Sequence, residues 1–173
     1  MSVRNVDQVS ETLPQAFTVS VIMQSMPSEN PWVDSEWEAI GIVAGEMTND
    51  SPTPAAELLQ ERGGAKQFLY RGFTLRLHAD ECESYYHNLM SPSPYGYVVA
   101  SMDDNGVPIP VRVSLSFDEA HAYLEGDENL YTVPVPPEIY QWTEAFVLAH
   151  YVPVKRTKRK RQDWKHQARG GRA

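Results

Sequence analysis

A chain of 173 residues, 42% of them apolar, fits one domain with room for a tail. Its single cysteine, Cys82, excludes an internal disulfide. No run of about 18 apolar residues offers a membrane span, and the first residues carry no apolar signal segment, so a cytoplasmic protein with no membrane partner is expected. The net charge of −8 hides a split: Lys155–Ala173 holds nine Lys or Arg against Asp163, giving +8, which leaves six basic and 22 acidic residues, −16, in residues 1–154.

Residues 1–14 are polar and end in Pro14, which predicts a loose N-terminus. Phe17, Val19, Val21 and Met23 alternate with Thr18, Ser20 and Ile22, so Phe17–Met23 is predicted as a strand with one buried face. A polar, turn-like connector carrying Trp32 and Trp37 leads to a second strand, Glu38–Val43. There Gly41 is read as permitting close backbone approach. Gly45–Gly64 is the least regular stretch, an exposed excursion in which Ala55–Arg62 is predicted as a short helix capped by Thr53. Gln67–Tyr70 and Phe73–Leu77 read as a hairpin around Arg71-Gly72. Asp80 and Glu83 read as a capping box opening a helix over Glu81–Met90, which stops before Pro92.

Tyr97–Met102 and Val107–Leu115 form a second predicted hairpin around Asn105-Gly106, with Pro108 and Pro110 marking an edge. Ser116 and Glu119 give a fuller capping box for a helix Phe117–Glu125 that Gly126 closes. A short strand, Leu130–Val133, precedes a helix over Glu138–His150 that starts after Pro136 and Pro137. Its stripe of Ile139, Trp142, Phe146 and Val147 should face the core. About six strands and three helices joined by hairpins predict an α+β domain over 15–154. Its antiparallel sheet could curl into a small, partly closed barrel, and a basic tail, disordered or ordered by a partner, follows over 155–173. There is no βαβ alternation and no Gly-rich phosphate loop.

Three blocks carry a resemblance: VSVIMQSMPSENPWVDSEWEAIGIV (19–43), LYRGFTLRLHADECESYYHNL (69–89) and PPEIYQWTEAFVLAHYVPVKRTKRKR (136–161). Their order resembles the bacterial domain-of-unknown-function family 3305, over roughly residues 17–161. The family has no established activity, and its members are often encoded beside metal-dependent formate dehydrogenase genes. The resemblance therefore implies an accessory subunit or assembly factor of a molybdenum or tungsten formate dehydrogenase, with that enzyme's subunits as partners.

The residues themselves offer no catalytic signature, and a non-enzymatic protein without a cofactor is expected. His78, Cys82 and His87 are the one metal-like cluster, with Glu81 or Glu83 as a conceivable fourth ligand. Cys82 and His87, five apart, point to different faces of a helix, so the reading is a buried thiol and surface histidines. Asp80, Glu81 and Glu83 are explained by helix capping and the helix dipole, and Asp103, Asp104 and Asn105 by a tight turn. No serine stands in a nucleophile-elbow context. Trp32 and Trp37 are either partner anchors or staples of the connector, and Tyr85 and Tyr86 are read the same way. In the tail, Lys155, Arg156, Lys158, Arg159, Lys160, Arg161 and Lys165, with Trp164 as an apolar anchor, are the candidate partner contacts. The alternative use of that tail is as a nucleic-acid-binding adaptor, opposed by the acidic body.

Overall fold

The computed structural model describes residues 15–45, 56–124 and 128–152. Among the described residues, seven strands form two antiparallel sheets. β1 (Ala16–Pro27), β2 (Ser35–Ala44), β3 (Glu57–Arg62) and β4 (Ala65–Arg76) lie in the order β2-β1-β4-β3. β5 (Tyr95–Met102), β6 (Pro108–Ser114) and β7 (Glu128–Pro134) lie in the order β6-β5-β7. β2 runs beside β7 and β4 beside β6, so the sheets enclose one core without closing into a barrel. Val19, Val21, Met23, Leu75, Val98, Val113 and Val133 fill it, and the alternation read in Phe17–Met23 is the period of that buried face. The α+β expectation holds, with two sheets in place of one.

The described residues also form three α-helices: α1 (Cys82–Leu89), α2 (Phe117–Ala122) and α3 (Pro137–His150). Pro137 occupies the first helical position of α3, where a missing N–H costs nothing. Its stripe of Ile139, Trp142, Phe146 and Val147 is buried as expected. Trp142 lies 5.3 Å from the Phe17 ring, and Phe146 meets Tyr85 of α1 edge-on at 6.4 Å.

Four local expectations are corrected. The segment predicted as a helix over Ala55–Arg62 is strand β3 over Glu57–Arg62. Gly63 and Gly64, both at positive φ, fold it back onto the free edge of β4, and that ladder outweighs the helix propensity of ELLQER. Arg71-Gly72 is not a turn. β4 runs straight through it, and the pair bulges opposite Ser20, between the partners Val19↔Phe73 and Val21↔Tyr70, with Gly72 at φ 87°. The Asp80–Glu83 capping box is absent: a 3₁₀ turn, Ala79–Glu81, delays α1 to Cys82, and neither start carries a side-chain cap. Gly41 faces open space beside a bulge at Ile40; the closest approach among the described glycines is at Gly96, where a Cβ would stand 2.6 Å from Ile42 Cδ1 and 3.3 Å from Val133 Cγ2.

Other expectations hold. Asn105-Gly106 turns the β5–β6 hairpin, with Asp103 Oδ1 accepting from Asn105 N and Val107 N at 2.8 Å each. β6 is an edge strand, and its ladder is interrupted at Val111, next to Pro110. Thr53, Gly126 and the tail boundary at Val154 lie outside the described residues.

Trp142 closes the core beneath α3, so Trp142→Ala should lower unfolding free energy by about 3–5 kcal/mol. Urea denaturation checks this; an unchanged midpoint would mean that the indole is not part of the core.

Candidate functional site

An open groove of about 800 Å³ lies between α1 and the start of α2. The 3₁₀ turn and α1 supply Asp80, Glu81, Glu83, Ser84, His87 and Asn88 to one wall. Phe117 and Asp118 of α2, with Tyr95 and Tyr97 of β5, supply the other. Among the described residues, four carboxylates and three aromatic rings therefore line it, and no Lys or Arg does. Tyr95 and Phe117 are 41% and 49% exposed, so their rings remain accessible. Phe117 is held edge-on by Tyr97 at 5.7 Å and lies 4.2 Å from the His121 ring.

Two polar ties fix the walls. Ser116 Oγ accepts from Glu119 N at 3.1 Å, the N-cap expected from the sequence, and donates to Glu81 Oε2 at 2.6 Å. The returning half of the capping box is rerouted: Glu119 Oε2 accepts from Ser114 Oγ, which itself accepts from Ser116 N. Asn88 is the second tie. Its Nδ2 donates to Tyr95 O at 2.7 Å and Leu115 O at 3.0 Å, and its Oδ1 accepts from Tyr95 N at 3.0 Å. Sequence reasoning missed Asn88, because its partners stand seven and 27 residues further on and no local motif marks it.

Beneath the groove, Tyr85 is fully buried, and its phenol oxygen accepts from His78 N at 3.1 Å. Burial pushes this phenol well above its ordinary value, the His78 hydrogen bond offsetting part of the rise. Tyr86 is exposed and stacks on Tyr151 at 5.1 Å.

The metal-like cluster is spread apart. Cys82 is buried, and burial, with Asp80 nearby, raises its thiol. His78 and His87 are exposed, and His87 Nε2 lies 3.7 Å from Glu83 Oε1. Among the described residues no group of three His, Cys, Asp or Glu is placed to hold a metal ion. No described helix is long and apolar enough to cross a membrane.

The two tryptophans have different surroundings. Trp37 is half-buried and packs on Phe68 at 5.7 Å, stapling β2 to β4 across β1. Trp32 is 91% exposed at the tip of the β1–β2 connector. The tip is held by side-chain bonds: Asn30 Oδ1 accepts from Trp32 N at 3.1 Å and Ser28 Oγ accepts from Asn30 N at 3.0 Å. The candidate contacts Lys155, Arg156, Lys158, Arg159, Lys160, Arg161, Trp164 and Lys165 lie outside the described residues.

The family described as "Protein of unknown function (DUF3305)" matches residues 18–161. The chain belongs to this family. The match takes in both sheets, the three helices and the basic run through Arg161, so the family unit joins the acidic body to the cationic segment that follows it. No curated protein and no solved structure matches the chain.

Tyr85 supplies a pH test. Its phenol is held protonated in the fold, so its contribution is fully present below its ordinary value of about 10 and is lost as pH rises above it. Urea stability measured between about pH 8 and about pH 11 should fall with rising pH, and Tyr85→Phe should fall less steeply. At neutral pH the same variant should lose about 1 kcal/mol, through the unpaired His78 N–H.

Proposed function

We propose that this member of the DUF3305 family is a non-enzymatic interaction protein, an accessory subunit or assembly factor of a metal-dependent formate dehydrogenase. The observation that carries the interaction reading is Trp32. An indole is a large apolar surface, and this one is 91% exposed on a turn that its own hydrogen bonds hold in place. Holding the turn in advance lowers the entropic cost of burying the ring in a partner, the usual behaviour of an interface anchor. Val33 beside it and Met26 at the end of β1 are exposed as well, which widens the apolar tip. The dehydrogenase half of the proposal rests on the gene neighbourhood that the family resemblance implies.

The test is affinity purification of the full chain from its native host at low salt. Dehydrogenase subunits should co-purify with the wild type and be largely lost with Trp32→Ala, a change expected to cost on the order of 2 kcal/mol of binding. The variant's melting temperature should stay unchanged, because Trp32 contributes little to the core. Recovery of no dehydrogenase subunit would remove the enzyme assignment, and equal recovery with the variant would remove Trp32 as the anchor. The nucleic-acid reading predicts instead a gel shift that weakens steeply with salt.

A further inference from the structure

The groove between α1 and α2 is paired with a cationic segment of the same chain. Asp80, Glu81, Glu83 and Asp118 give it four carboxylates, and Tyr95, Tyr97 and Phe117 give it aromatic faces. Carboxylates receive ammonium and guanidinium groups, and aromatic faces receive the guanidinium plane and aliphatic stems. The protein already uses the second contact at the other end of α2, where Arg112 lies 3.8 Å above the Tyr123 ring.

The chain leaves its described residues at the lip of this groove. His150, Tyr151 and Val152 line a smaller cleft together with Ala79, Asp80, Cys82 and Glu83, so the two clefts share Asp80 and Glu83. The stacking of Tyr151 on Tyr86 of α1 fixes that exit. Lys155 is three residues beyond Val152, within roughly 10 Å, and Arg161 nine beyond, within roughly 30 Å, at full extension. The basic run is therefore tethered beside the carboxylates, at an effective concentration on the order of millimolar. The family match also extends through this run to residue 161.

We propose that Lys155–Arg161 docks in the α1–α2 groove of its own chain. The groove is then occupied in the isolated protein. A partner that draws the basic run away uncovers the groove, and a cationic segment from elsewhere must displace the run to enter. This contact is independent of the Trp32 tip, which lies on the β1–β2 connector.

The test compares amide spectra of the isotope-labelled full chain with those of a full chain carrying Lys158→Gln, Arg159→Gln, Lys160→Gln and Arg161→Gln. These changes leave every core residue in place, and unchanged β1 and β5 amides verify the fold. The amides of Glu83, Ser84, Asn88 and Phe117 should move while those of β3 stay, and wild-type groove amides should move the same way as salt rises from about 0.1 M to about 1 M. A full chain with Glu83→Gln and Phe117→Ala should show the shifts of residues 158–161 that the wild type shows at high salt. Groove amides that coincide in wild type and the four-glutamine variant would overturn the proposal. So would shift changes centred on another face, or wild-type groove shifts that vary with tenfold dilution, since the run would then occupy a second copy.

Discussion

Tyr85 holds together the three parts on which the candidate groove depends. Its ring is buried against Phe146 of α3, and its hydroxyl takes the His78 N–H where β4 gives way to the 3₁₀ turn. One side chain thus sets the height of α1 against α3 and the direction in which the chain enters α1. The wall carrying Asp80, Glu81 and Glu83 and the exit at Tyr151 both follow from that placement. A phenol is suited to the position because it fills the space of a large apolar ring and still satisfies a backbone donor that the turn leaves without a helical partner.

The sequence was most informative where the deciding chemistry is local. Asn105-Gly106 is a turn because the dipeptide itself accepts the backbone that the turn requires, and the Ile139, Trp142, Phe146 stripe is buried because its spacing matches one helix face. Arg71-Gly72 carried the same kind of signal and led to the wrong element. A glycine at positive φ, such as Gly72, serves one kind of bulge as well as a hairpin turn, and only the partner strand decides between them. Leu58 and Leu59 belong to a strand for a reason that lies in β4, outside their own segment.

The groove was legible in part. Asp80, Glu81 and Glu83 stand together in the sequence and read as helix capping, whereas Asp118 lies outside that group. Their relation to Tyr95, Tyr97 and Phe117 exists only after β5 and α2 have been brought against α1. Asn88 performs much of that assembly, and its partners at Tyr95 and Leu115 cannot be read from its neighbours. The charge split between body and tail was plain from the order of residues, whereas the position of the exit beside Asp80 and Glu83 needed the fold.

β3 has a consequence of its own. All six of its residues are exposed, and it is held by one ladder to β4 and by the ion pairs Arg71–Glu57 at 2.7 Å and Lys66–Glu61 at 3.8 Å. Exposed pairs of this kind add little stability, so β3 can detach at a small fraction of the cost of global unfolding. Detachment bares the backbone of β4, an edge that accepts any strand of matching register. The best-matched strand at high concentration is the β3 of another molecule, so two molecules that open together can close by exchanging strands. Heating and concentrating the protein would then yield domain-swapped dimers whose sheets are, residue for residue, those of the monomer.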